Sequence, residues 1–194
     1  MRNTLTNLTF HEVNKIDLSS FTHLSNGTDI NMKDILEPAG VEHYKFLYWL
    51  SQQFHNSHII DIGTHTGGSG SILAANPTNM VYSFDVVKKG NLPILPNLVY
   101  YLQDLTDAHT LVMWEQKILS SSFIFLDIDP HEGTREYKFY EWLKSKAYKG
   151  FLVCDDVVLF PAMREHFWDK IPQAEKIEIT HLGHHSGTGI VFFQ

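Results

Sequence analysis

Aspartates close most of the apolar runs in this sequence, and their spacing is the first sign of chemistry. One block reads Leu126-Asp127-Ile128-Asp129-Pro130-His131, and the next apolar run ends in Cys154-Asp155-Asp156. Neighbouring strands of a parallel sheet lie about 5 Å apart. If both runs are such strands, their terminal carboxylates could meet around one hard cation. Crowded carboxylates without a cation repel and raise one another's pKa. Oxygen-only ligation suits Mg²⁺, Mn²⁺ or Ca²⁺ rather than a structural zinc. The plainer reading makes Asp129 a helix cap and Asp155–Asp156 a solvated turn. His131 has the right type for a general base on a substrate hydroxyl, because an unperturbed imidazole titrates near neutrality. A loop histidine without a role is its alternative.

A second constellation is Asp61-Ile62-Gly63-Thr64-His65-Thr66-Gly67-Gly68-Ser69-Gly70. It follows one apolar run and opens a helical pattern, the context in which a glycine-rich string signals a cofactor site. Gly63 and Gly67 would let the backbone approach a ligand without a clashing Cβ. The spacing is D-x-G-x-x-x-G, with His65 where the dinucleotide fingerprint needs glycine. That disfavours a nicotinamide-dependent oxidoreductase. In THLGHHSGTG, His181, His184 and His185 crowd a tight turn with no cysteine nearby. We expect a substrate-facing loop there rather than a zinc site. Ser69 lacks a nucleophile-elbow context. Cys154 sits inside an apolar run and reads as buried. Trp49, Trp142 and Trp168 read as packing residues.

These residues need elements to hold them. SHIIDIG, MVYSFDV, NLVYYLQD, SSFIFLDID and FLVCDD read as strands. Helical patterns are expected over 34–54, interrupted by Pro38, and over 109–119, 132–146 and 161–171, besides the one after the glycine turn. Strands alternating with helices imply a parallel sheet covered on both faces. KIEITHL and GIVFFQ are joined too closely for a helical crossover, so they are expected to pair antiparallel. In such sheets ligands sit beyond the carboxyl ends of the strands. Asp61, Asp85, Asp104, Asp127 and Asp155 all stand at those ends. We expect a loosely structured N-terminal arm over 1–33 and one domain over 34–194.

Composition bounds the function. The chain has 194 residues, 43 % of them apolar, with thirteen Phe, eight Tyr and four Trp. That bulk supports a packed core and excludes disorder. The net charge of −7 offers no basic footprint for nucleic acid. No run approaches the roughly twenty apolar residues that span a bilayer, and no signal-peptide run opens the chain. One cysteine suits a reducing, cytoplasmic setting. A homo-oligomer is left open.

Residues 59–70, with Asp85 closing the second strand and Asp104 closing the third, resemble the class I S-adenosylmethionine-dependent methyltransferases. The resemblance implies a Rossmann-like, doubly wound α/β fold. It has a seven-stranded, mostly parallel sheet with a C-terminal antiparallel hairpin and helices on both faces. It implies that Asp61, Gly63, Thr64, Gly67, Asp85 and Asp104 bind S-adenosylmethionine, Asp85 at the ribose hydroxyls and Asp104 near the adenine. The block from Asp127 to Asp156 is similar to metal-dependent O-methyltransferases of the macrocin and catechol types. By that likeness Asp127, Asp155 and Asp156 hold a divalent cation such as Mg²⁺, which places Asp127 at the chemistry beside the general-base candidate His131. Asp156 departs from the asparagine usual in the catechol type. The implied acceptor is a hydroxyl of a small molecule, such as a sugar, glycoside or catechol. The alternative from another class is a non-catalytic binding protein on the same fold.

Overall fold

The computed structural model describes residues 1–193. Its strands are β1 (His58–Ile62), β2 (Met80–Asp85), β3 (Leu98–Leu102), β4 (Ser121–Leu126), β5 (Phe151–Cys154), β6 (Lys176–Glu178) and β7 (Gly189–Phe192). Its helices are α1 (Arg2–Asn7), α2 (Phe10–Asn14), α3 (Met32–Leu36), α4 (Tyr44–Ser51), α5 (Gly68–Leu73), α6 (Ala108–Leu119), α7 (Thr134–Ser145) and α8 (Pro161–His166). The strands form one sheet in the order β3-β2-β1-β4-β5-β7-β6. Strands β1 to β5 run parallel, and β7 is antiparallel to both β5 and β6. The expected doubly wound sheet and its terminal antiparallel pair are therefore present.

The central strands β1, β4 and β5 are buried at most positions and largely apolar, because both faces of the sheet are covered. Successive side chains alternate between two cores, as the pleat requires. Ile59, Phe123, Phe125, Val153 and Ile190 face one core, with α4 and α5. Ile60, Ile124, Leu126, Leu152 and Val191 face the other, with α6, α7 and α8. Among the described residues no helix is long and apolar enough to cross a membrane.

Three local expectations are refined or corrected. The segment 1–33 is not loose. It carries α1, α2 and a 3₁₀ stretch over Ser19–Ser25, and it buries Leu5, Leu8, Val13, Leu18, Leu24 and Ile30 in the first core. Thr9 and Glu12 close a capping box on α2. These apolar residues come singly among Asn, Thr and Ser, too sparsely for a periodic signal. The division of the 34–54 pattern at Pro38 is present, but its bounds differ: α3 starts earlier and ends at Leu36, and Pro38 and Gly40 carry the chain to α4, which ends at Ser51. Helix α8 stops at His166, and Trp168–Lys170 continues as a 3₁₀ turn.

The N-terminal segment should behave as part of the core. Leu18→Ala, at a side chain 1 % exposed, is expected to cost about 2–5 kcal/mol, as for other buried leucine truncations. Urea unfolding measures this; a loss below about 0.5 kcal/mol would mean the segment is not packed in solution.

Candidate functional site

Parallel register sets the site. Ile62 aligns with Phe84 and with Leu126, and Leu126 aligns with Cys154. The residues just beyond therefore stand side by side. The Asp127 amide donates to Ile62 O (2.8 Å) and the Asp155 amide to Leu126 O (3.0 Å). A cavity of about 350 Å³ opens over these strand ends. Gly63, Asp85, Asp104, Asp127, His131, Asp155 and Asp156 line it.

The glycine turn is built differently from the sequence expectation. Gly63 has φ +105, and a Cβ there would lie 1.7 Å from Asp127 O. Glycine is thus required by the neighbouring strand end, before any ligand is considered. Gly67 has φ +87, and a Cβ there would meet Pro93 and the Tyr100 hydroxyl. Gly67 and Asp61 line neither this cavity nor the adjoining one of about 550 Å³, which Thr64 and Asp85 share. Asp61 is fully buried beneath the turn. Its Oδ2 accepts from Ser83 Oγ, while Oδ1 has no partner. Burial raises its pKa to about 6.

Asp85 ties the turn to β2. One oxygen accepts from the His65 amide (2.8 Å) and the other from the Val87 amide (3.0 Å). Asp104 Oδ1 accepts from the Thr106 amide (2.9 Å) and hydroxyl (2.6 Å), and its Oδ2 lies 3.7 Å from Arg135 Nη1. Each carboxylate keeps lone pairs for further donors.

The expected ligand trio is divided. Donor atoms of Asp127, His131 and Asp156 lie within 4.8 Å of one another, and so do those of His43, Asp155 and His184. Asp155 thus turns to two histidines instead of joining Asp127 and Asp156. Its Oδ2 is 3.1 Å from His43 Nδ1 and 3.0 Å from His184 Nδ1, and its Oδ1 accepts from Thr188 Oγ1 (3.3 Å). Asp156 occupies left-handed backbone at φ +62. Its Oδ2 lies 3.1 Å from His131 Nδ1. His131 Nε2 is 3.4 Å from Asp129 Oδ1, and Asp129 also reaches Lys89 Nζ at 3.5 Å. Asp129 caps no helix, since Gly133 precedes α7.

Electrostatics follow this division. Burial, then the neighbouring Asp155 charge, pushes the Asp127 carboxyl well above its ordinary value. The same causes raise Asp156. Burial also works against the Asp155 charge, but His43 and His184 outweigh it and hold that carboxyl low. Burial opposes the His43 and His184 imidazoliums, and Asp155 more than reverses this, so both pKa values rise.

Sequence reasoning missed His43. It precedes α4 in no recognisable motif, and only the fold carries it to Asp155 across 112 residues. Glu42, whose Oε1 is 3.8 Å from His184 Nε2, was missed for the same reason.

No family model matches the sequence. No curated protein matches it either. Among solved structures, an S-adenosylmethionine-dependent O-methyltransferase from Thermotoga maritima superposes with a TM-score of 0.51 at 9 % identity, over 78 % of this chain and 64 % of that one. The fold is that of the class I methyltransferases. A ribosomal RNA methyltransferase from Plasmodium falciparum matches over 78 % of this chain and 95 % of its own, at 10 % identity and a TM-score of 0.47. The MycE methyltransferase of mycinamycin biosynthesis, in complex with Mg, S-adenosylhomocysteine and mycinamycin VI, matches at 17 % identity and a TM-score of 0.46. That match covers 56 % of this chain, which spans only 30 % of the length of MycE. At these identities the likeness is one of fold alone.

In this methyltransferase fold, Asp61 makes a stability prediction with a definite sign. Its folded pKa of about 6 lies above the model-peptide value of 3.8. A raised carboxyl penalises the folded state increasingly as pH rises between those two values. Asp61→Asn should therefore gain about 1–3 kcal/mol over the wild type at pH 8 and lose that advantage by pH 4. Denaturation across that pH range checks it; a constant difference would refute the buried charge.

Proposed function

We propose that the chain transfers a methyl group from S-adenosylmethionine to a hydroxyl of a small polyhydroxylated molecule, such as a sugar, glycoside or catechol. The observation that supports this most is one cavity, on a methyltransferase sheet, that joins Asp85 and Asp104 on one side to Asp127, Asp156 and His131 on the other. The residues fit the cofactor. Asp85 and Asp104 offer carboxylate oxygens at the rim, with acceptor capacity for ribose hydroxyls and an amino group. They also fit a cation. Asp127 is a cavity-lining carboxylate whose ionised form is disfavoured where it stands, and a divalent ion would reverse that.

Asp127 and Asp156 would supply carboxylate oxygens, which suit a hard cation such as Mg²⁺ or Mn²⁺, while the neighbouring His131 nitrogen is kept for the acceptor's proton. Bound S-adenosylmethionine would supply a methyl group already activated on a sulfonium. A divalent cation would supply positive charge that lowers the acceptor's pKa.

The chain's own residues do the rest. Asp156 Oδ2 stands 3.1 Å from His131 Nδ1; a proton held on that nitrogen would leave the Nε2 lone pair for the acceptor's proton. Lys89 and His131 compete for Asp129; Lys89 draws that carboxylate from the base. The cavity walls position the acceptor, where orientation supplies much of the acceleration.

Calorimetry with S-adenosylmethionine and S-adenosylhomocysteine tests the cofactor. Asp85→Ala should weaken binding by about 1–3 kcal/mol, the range for lost charge-assisted hydrogen bonds. Absence of binding by the folded wild type at millimolar ligand overturns the reading. His131→Gln should lower kcat about 10²- to 10⁴-fold while S-adenosylhomocysteine affinity holds. Full activity in excess EDTA would remove the cation and leave His131 as the proton acceptor.

A further inference from the structure

Three histidines and four acidic residues crowd the strand ends, and methyl transfer as proposed uses only some of them. His43, Asp155 and His184 remain. Asp155 is 2 % exposed and His43 is 5 % exposed, yet both line the cavity with His184. We propose that His43, Asp155 and His184 form a nitrogen-rich site for a divalent transition-metal cation, separate from the Asp127–Asp156 carboxylates.

The first argument is spacing. Nitrogen and oxygen ligands sit about 2.0–2.2 Å from such an ion, so two at right angles are about 3.0 Å apart. His43 Nδ1 and His184 Nδ1 lie 3.1 and 3.0 Å from Asp155 Oδ2. The second argument is a shortage of protons. His184 Nδ1 carries at most one hydrogen. It faces Asp155 Oδ2 at 3.0 Å and Ser186 Oγ at 2.6 Å, with Asp156 Oδ1 at 3.8 Å. A Ser186 hydroxyl that donates to that nitrogen would occupy its lone pair, so ligation needs the hydroxyl turned to Asp156, to which Ser186 also hydrogen-bonds. The freed lone pair then faces the Asp155 oxygen at 3.0 Å, where a cation relieves the repulsion. The third argument lies in the surrounding residues. Metal-bound histidines characteristically give their other N–H to a carboxylate. Glu42 Oε1 stands 3.8 Å from His184 Nε2. Thr188 Oγ1 donates to the remaining Asp155 oxygen, fixing the carboxylate's orientation. Phe125 and Tyr44 pack on the His43 ring, with centroids 5.0 and 4.6 Å away, which limits water.

Two imidazoles and one carboxylate select for Zn²⁺, Fe²⁺ or Co²⁺ over Mg²⁺ or Ca²⁺. Asp156 reaches both groups, Oδ2 toward His131 at 3.1 Å and Oδ1 toward His184 at 3.8 Å, so an ion here would sense the acceptor pocket. The inference does not rest on methyl transfer, and S-adenosylhomocysteine binding is an independent readout of that.

The experiment is titration of the chelator-treated full chain with Co²⁺ and then Zn²⁺, followed by visible absorption and calorimetry. One equivalent with nitrogen-type Co²⁺ bands should persist in Asp127→Asn and vanish in His43→Gln and in His184→Gln. Glu42→Gln, which removes a negative charge 3.8 Å from His184 Nε2, should weaken it by less than either histidine variant does. No uptake by the folded wild type, or nitrogen-type bands that both histidine variants keep, overturns the site and leaves a protonated histidine pair on Asp155. Should the variants fail to fold, imidazole ¹⁵N resonances of the wild type decide. Movement of those of His43 and His184 on adding Zn²⁺ supports the site, and unchanged resonances refute it.

Discussion

The end of β1 passes so close to the end of β4 that no side chain fits between them. Gly63 and the Asp127 carbonyl meet where a Cβ would sit at 1.7 Å. That approach lets the Asp127 amide bond Ile62 O. It also brings the glycine turn and the acidic strand ends to one cavity instead of two. A bulkier residue at position 63 would push the strand ends apart, and Asp85 and Asp127 would no longer share a wall.

Sharing a wall has an electrostatic consequence. Asp127, Asp155 and Asp156 all line the cavity, and adjacent buried carboxylates cannot all stay ionised without compensation. The fold compensates unequally. Asp155 has His43 and His184 on one oxygen and stays ionised most readily. Asp156 has His131. Asp127, buried among like charges, resists ionisation most. The gradient gives each carboxylate a different task, although all three are the same residue type at equivalent strand ends.

Much of this was legible in the sequence. Strands β1 to β5 announce themselves as apolar runs with an Asp at or just beyond their ends, most strongly β4 and β5, where both faces are buried. The antiparallel end follows from the short link between β6 and β7. The rim of carboxylates follows from parallel direction alone. What stayed hidden depends on rotamers and long-range packing. Strand position says that Asp155 lies beside Asp127, and nothing in the chain's order says that it turns toward His43. The N-terminal segment was misread because its buried residues Leu5, Leu8, Val13, Leu18, Leu24 and Ile30 come singly and at uneven spacing in polar surroundings. Gly63 was assigned to a ligand because sequence does not show that a neighbouring carbonyl already fills the space.

The pairing of His43 with His184 has its own cause, far from either ring. The Gly40 amide donates to Gly183 O (2.9 Å), and the His185 amide donates to Val41 O (3.3 Å). These bonds lace the approach to α4 onto the turn before β7. Gly40, at φ +81, admits the contact, because a Cβ there would press on His181 O at 3.1 Å. From the other side, Asn14 holds the same approach: its Oδ1 accepts from the Ala39 amide (3.2 Å) and its backbone oxygen from Lys45 Nζ (2.9 Å). Asn14 ends α2, whose neighbour Val13 is anchored in the core. The N-terminal segment therefore sets the entry of α4, and α4 sets His43. A methyltransferase sheet supplies the cavity floor, while its histidine wall is assembled from a helix start and a loop that backbone hydrogen bonds and the shared Asp155 carboxylate bring together.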